Sequence, residues 1–195
     1  MDTTEESTLD EPVWSTIKRD LGLIGRRLKL VILPKVTAVE MQAELRDWDL
    51  WGPLFICMTL ATVLSVEASE DASLIFSLVF LIIWCGSFVV TLNAQLLGGA
   101  VSFFMGVCLL GYCVFPLLVG AFFCIFWTAV LPTGVAVVLR FVTVVLLLIW
   151  SIMAVTAFFA DVKLPEGRKL LAVYPVFLFY SGIAWMILVG FQEHK

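Results

Sequence analysis

Five stretches of this chain run for 17 residues or more with one charged side chain among them, Arg140: residues 50–66, 74–92, 100–131, 135–160 and 170–190. A bilayer hydrocarbon core is about 30 Å thick, so roughly 20 apolar residues in a helix cross it. A helix also satisfies its own backbone N–H and C=O groups, which lipid cannot. Composition points the same way, with 62% apolar and 14% charged residues against roughly 45–50% and about 25% in soluble domains. That excess argues against a soluble enzyme domain, disorder, collagen and coiled coil. The expected fold class is all-α: a polytopic membrane protein, a five-span helical bundle with a cytosolic N-terminal amphipathic helix.

The stretch 100–131 would be about 48 Å long as a straight helix, more than one crossing needs. It is either one kinked span or a hairpin broken at Pro116. Lys and Arg accumulate on the cytosolic side of membrane proteins, which weighs on the number of spans. With the N-terminus in the cytosol, five spans put Lys18, Arg19, Arg26, Arg27, Lys29, Lys35, Arg46, Lys163, Arg168 and Lys169 inside and only Lys195 outside. Six spans would move Lys163, Arg168 and Lys169 outside. Five spans are the better expectation, giving a cytosolic region 1–49, a membrane domain 50–190 and a lumenal tail 191–195. The first segment, 1–11, is polar and acidic and lacks the apolar core of a signal peptide. The first span is then expected to serve as the targeting signal.

Residues 1–49 hold 10 of the 16 acidic and 7 of the 12 basic residues. Within them Trp14, Ile17, Leu21, Ile24, Leu28 and Val31 recur at helical spacing, which predicts a helix over about 13–33. Asp10 is placed to cap it and Pro34 to stop it. Lys18, Arg19, Arg26, Arg27 and Lys29 flank the apolar stripe. An apolar face beside five cations suits a helix on an anionic leaflet. The other reading is a cytosolic helix packed on the bundle.

Sites for chemistry are sparse. The single histidine, His194, and five cysteines without a Cys-x-x-Cys pair argue against catalytic triads, a zinc site and a disulfide framework. No catalytic residue, metal or cofactor is expected. A net charge of −4 provides no field for nucleic acid. Arg140 is an intramembrane charge, a functional candidate by default, though an arginine can also snorkel or pair structurally. Asp47 and Asp49, beside Trp48 and Trp51, belong to an interfacial anchor or to a cytosolic docking surface. Gly111-Tyr112-Cys113 with Pro116, and Tyr174-Pro175, read as kinks used in packing.

Taken together as ordered motifs, these residues resemble the Yip domain family, the Ypt/Rab-interacting membrane proteins, and most of all its sixth animal branch. The matching residues include Thr8-Leu9-Asp10-Glu11-Pro12-Val13, Leu45-Arg46-Asp47-Trp48-Asp49-Leu50-Trp51-Gly52-Pro53-Leu54, Leu96-Leu97-Gly98-Gly99, Gly111-Tyr112-Cys113 and Ala172-Val173-Tyr174-Pro175-Val176. The resemblance implies five spans, a cytosolic N-terminus and residence in the Golgi or the ER–Golgi pathway. It also implies association with Rab-type small GTPases and other Yip proteins in vesicle transport. Asp10, Glu11, Asp47 and Asp49 are then the candidate partner-binding residues, with the bilayer as a further partner. The bundle would be the place to shelter a partner's prenyl chains. The alternative is a small membrane transporter or channel subunit, for which Arg140 is the only support.

Overall fold

A computed structural model of the chain describes residues 13–32, 50–67, 71–99, 102–161 and 169–190. Every regular element among them is helical: α1 (Val13–Ile32), α2 (Trp51–Glu67), α3 (Ala72–Leu96), α4 (Phe103–Tyr112), α5 (Phe115–Val130), α6 (Thr133–Asp161) and α7 (Lys169–Gly190). Four segments are long and apolar enough to cross a membrane: Ala72–Leu96, Phe103–Val130, Thr133–Ala157 and Leu171–Gly190. α2 is equally apolar but has 17 residues, about 25 Å, a length that suits a thin bilayer. The outward faces are apolar too, with Leu81, Val138, Phe141 and Leu146 each more than half exposed. Acyl chains cover such a surface at no cost, whereas water would not. The chain is a polytopic helical membrane protein.

The segment made of α4 and α5 is the centre of the bundle. In its most apolar 18-residue stretch 67% of the residues are buried, against 28%, 22% and 39% in the corresponding stretches of α3, α6 and α7. α2 packs along α3, α5 along α6 and α6 along α7, while α3 closes against α7 and α4. α2 also touches both halves of the central segment. Cys108, Leu110, Cys113, Val114, Leu117 and Ala121 form its fully buried face.

The alternatives left open for 100–131 resolve as one kinked span. Cys113 and Val114 stay right-handed, at φ −73°, ψ −4° and φ −74°, ψ −20°. The backbone ladder continues past them, with Cys113 N–H donating to Leu109 at 3.0 Å and Leu118 N–H to Val114 at 3.1 Å. The break lies two to three residues before Pro116 rather than at it. The proline ring has no N–H to give and crowds the carbonyl four residues earlier, that of Tyr112. The distortion therefore appears at 113–114.

A second difference concerns the end of α3. The apolar stretch 74–92 leads to an expected end at Leu92, but the helix continues to Leu96. It stops where a glycine permits a left-handed residue, Gly98 at φ 90°. Gly98 N–H then bonds to Gln95 at 2.9 Å and Gly99 N–H to Ala94 at 3.1 Å, the paired bonds of a Schellman ending. Asn93 is thus kept on the helix, where it reaches α7.

Candidate functional site

α1 carries the cations singled out in the sequence, and the structure divides them. Lys18, Arg19, Arg26 and Lys29 are exposed, while Arg27 is only 4% exposed. Arg27 is thus corrected from a surface cation to a buried one. It lies three residues after Ile24 and four before Val31, on one helical face. That face meets the bundle: Val31 belongs to the core, and Ile24 and Leu28 pack against it. The Trp150 indole N–H of α6 donates to the Val31 carbonyl at 3.4 Å, one of the carbonyls that a helix end leaves unsatisfied. α1 therefore follows the bundle-packing reading along its second half. Leu21 and Ile32 still face outward, 57% and 45% exposed, on the edge of α1 that adjoins Lys18 and Lys29. The Arg19–Asp20 ion pair at 4.0 Å is exposed and adds little stability. Asp10, Glu11, Asp47 and Asp49 lie outside the described residues.

Arg140 is 7% exposed and sits on the inward stripe of α6 with Ala136 and Val144, four residues to either side. It lines a cleft between α6 and α7. In the isolated chain it packs rather than reaching solvent. Among the described residues no group of His, Cys, Asp and Glu is gathered as a metal would need. Cys57, Cys108, Cys113 and Cys124 are buried and Cys85 is exposed, and none of the five is in a disulfide.

The ordered motifs meet one another across helices. Gly52 and Pro53 open α2 against Gly111 and Tyr112 of α4. A Cβ at Gly52 would collide with the Tyr112 phenol, and one at Gly111 would collide with the Pro53 ring. Each glycine is the recess for the other motif's bulky residue. Two freed carbonyls also find partners. The kink turns Val114 N–H to Gly111 at 3.2 Å, away from Leu110, and the Tyr180 hydroxyl of α7 donates to the Leu110 carbonyl at 2.8 Å. Pro175 cannot bond the Leu171 carbonyl four residues before it, and the Asn93 amide donates there at 3.3 Å. Sequence reasoning marked Pro116 and Pro175 but not Tyr180 and Asn93 as their complements. The available signal was chemical: a tyrosine and the single asparagine in apolar helices each need a hydrogen-bond partner.

Comparison with known proteins places this architecture. The Yip1 domain family matches residues 28–186. Protein YIPF6 of Danio rerio is 49% identical over 194 aligned positions, covering 96% of this chain and 78% of that protein. The Protein YIPF6 homolog of Dictyostelium discoideum is 47% identical, covering 94% of this chain and 96% of that protein. Protein YIP4b of Arabidopsis thaliana is 43% identical, covering 93% of this chain and 62% of that protein. No solved structure matches. With the match running from α1 into α7, and with the motifs of α2 and α4 packed against one another, the chain belongs to the Yip1 domain family.

Proposed function

We propose that this chain is a non-enzymatic membrane protein of the Golgi and the ER–Golgi pathway. It supports vesicle-mediated transport by associating with Rab-type small GTPases and with other Yip proteins. Family membership carries the reading. The packing supports a scaffold over a transporter. The central α4–α5 segment is the most buried of the bundle, and the two carbonyls beside its kink and beside Pro175 are taken by Tyr180 and Asn93. A transporter needs a polar route, and the five apolar stretches hold one charge. α1 supplies a cytosolic platform with two uses. One face docks on the bundle, and its outward edge of Leu21 and Ile32 beside Lys18 and Lys29 suits an anionic leaflet.

The ten-to-one distribution of Lys and Arg supports a cytosolic N-terminus and a lumenal C-terminus. A glycosylation reporter fused after Lys195 is expected to be modified in the lumen. An unmodified, cytosolic reporter would overturn five crossings.

Partner association is tested by charge. Reversing Asp10 and Glu11, or Asp47 and Asp49, is expected to cut capture of prenylated Rab-type GTPases while the protein still inserts and sorts. Each reversal acts on a charge contact with the partner, so the loss should be several-fold and should weaken at high salt. Full capture by both variants at normal expression would reject this surface as the partner site.

A further inference from the structure

α6 and α7 leave a cavity of about 230 Å³ between them, lined by Val137, Arg140 and Phe141 from α6 and by Trp185, Leu188 and Val189 from α7. Five of these side chains are apolar or aromatic, and the sixth is a guanidinium. Phe141 and Trp185 are 58% and 69% exposed, so the mouth faces sideways, where lipid lies, rather than along the bundle axis.

The depth of the cavity narrows the choice of ligand. α6 has 29 residues, about 43 Å, so it overhangs a hydrocarbon core of about 30 Å. Arg140 is about 10 Å from the N-terminal end of α6, and a centred helix puts it about 5 Å inside the hydrocarbon. Helical side chains lean toward the helix N-terminus, which here is the nearer interface. Trp185 comes from the antiparallel neighbour, about 8 Å before the end of α7. Arginine and tryptophan line one cleft just inside the hydrocarbon boundary, and the guanidinium is long enough to reach the level where headgroup phosphates meet acyl chains. The void is too small for a whole lipid and large enough for a phosphate and the first part of a chain.

We propose that the α6–α7 cleft binds one anionic phospholipid of the leaflet nearest the start of α6, with its phosphate on the Arg140 guanidinium and an acyl chain along Val137 and Leu188. The charge complementarity is that of guanidinium with phosphate, in a site where low polarity strengthens it. The apolar wall recognises the chain. The guanidinium favours an anionic headgroup over a zwitterionic one, and the apolar wall favours a lipid over free phosphate.

The test uses the full chain in nanodiscs of phosphatidylinositol and phosphatidylcholine in equal proportion, released into native mass spectrometry. One retained phosphatidylinositol per protein is expected. Arg140→Gln should lower that retention about tenfold, the loss of one charge-assisted contact. Leu188→Trp fills the cavity and leaves the guanidinium in place, so it should lower retention as well. If Arg140→Gln fails to insert, Leu188→Trp decides by itself. Retention at the original level in Leu188→Trp overturns the proposal. So does equal retention of the two lipids, or complete displacement by glycerol 3-phosphate, which would identify a site for free phosphate.

Discussion

Replacing Gly52 with leucine is expected to be the most damaging single change in the bundle, lowering stability by about 3 kcal/mol. The leucine side chain would enter the volume of the Tyr112 phenol, and Tyr112 is 1% exposed within the core. Neither partner can retreat. Pro53, the next residue, is already seated on Gly111, which holds the start of α2 against the kinked span. Gly22→Leu is the control, because nothing lies within 4 Å of a Cβ there and leucine is the better helix former. Thermal unfolding in detergent should therefore show a large fall in Tm for Gly52→Leu and none for Gly22→Leu. A smaller residue opposite should restore part of the loss, so Gly52→Ala with Tyr112→Leu should be less unstable than the two single changes added. A Gly52→Leu protein that melts with the parent would show that the two motifs do not interlock.

Tyr180→Phe is expected to cost about 1–2 kcal/mol, a large effect for the removal of one oxygen. The ring stays and the shape hardly changes, so the measurement isolates the hydrogen bond. Its acceptor is the carbonyl of Leu110, which Val114 has abandoned for Gly111, and both Tyr180 and Leu110 are 0% exposed. Without the hydroxyl that carbonyl is buried and unsatisfied, and lipid offers it nothing. Asn93→Leu should be milder, because its bond to Leu171 is longer and partly exposed. An order of Tm values with Asn93→Leu below Tyr180→Phe would contradict this account of how the two proline sites are stabilised.

Much of this architecture was legible from hydropathy alone. Charge-free stretches of this length have one stable form in lipid, so the apolar helices and their approximate ends follow from composition and spacing. The errors fall where local chemistry competes. α3 runs past Leu92 because the first residue able to turn left-handed is Gly98, and Asn93 is no barrier to a helix when its side chain has an acceptor on α7. Pro116 announced a kink, but a proline disturbs the carbonyl before it, so the bend appears at Cys113 and Val114.

Other features belong to the tertiary structure. The helical repeat of α1 puts Arg27 at the margin of an apolar stripe, and only the position of the bundle decides that Arg27 is covered while Arg26 beside it is exposed. Arg140 could be recognised as a charge in a span, but its cleft is made by Trp185, Leu188 and Val189, more than forty residues away. The pairing of Gly52 and Pro53 with Gly111 and Tyr112, and of Tyr180 with Leu110, likewise joins segments far apart in the chain. The sequence by itself determined that the chain enters a membrane as helices and that the central one is disturbed near Pro116, because hydrophobicity and backbone hydrogen bonding act over neighbouring residues. Which recess receives which ring, and which carbonyl receives which hydroxyl, was decided only by helix against helix. Those contacts depend on the relative rotation of two cylinders, which no local periodicity specifies.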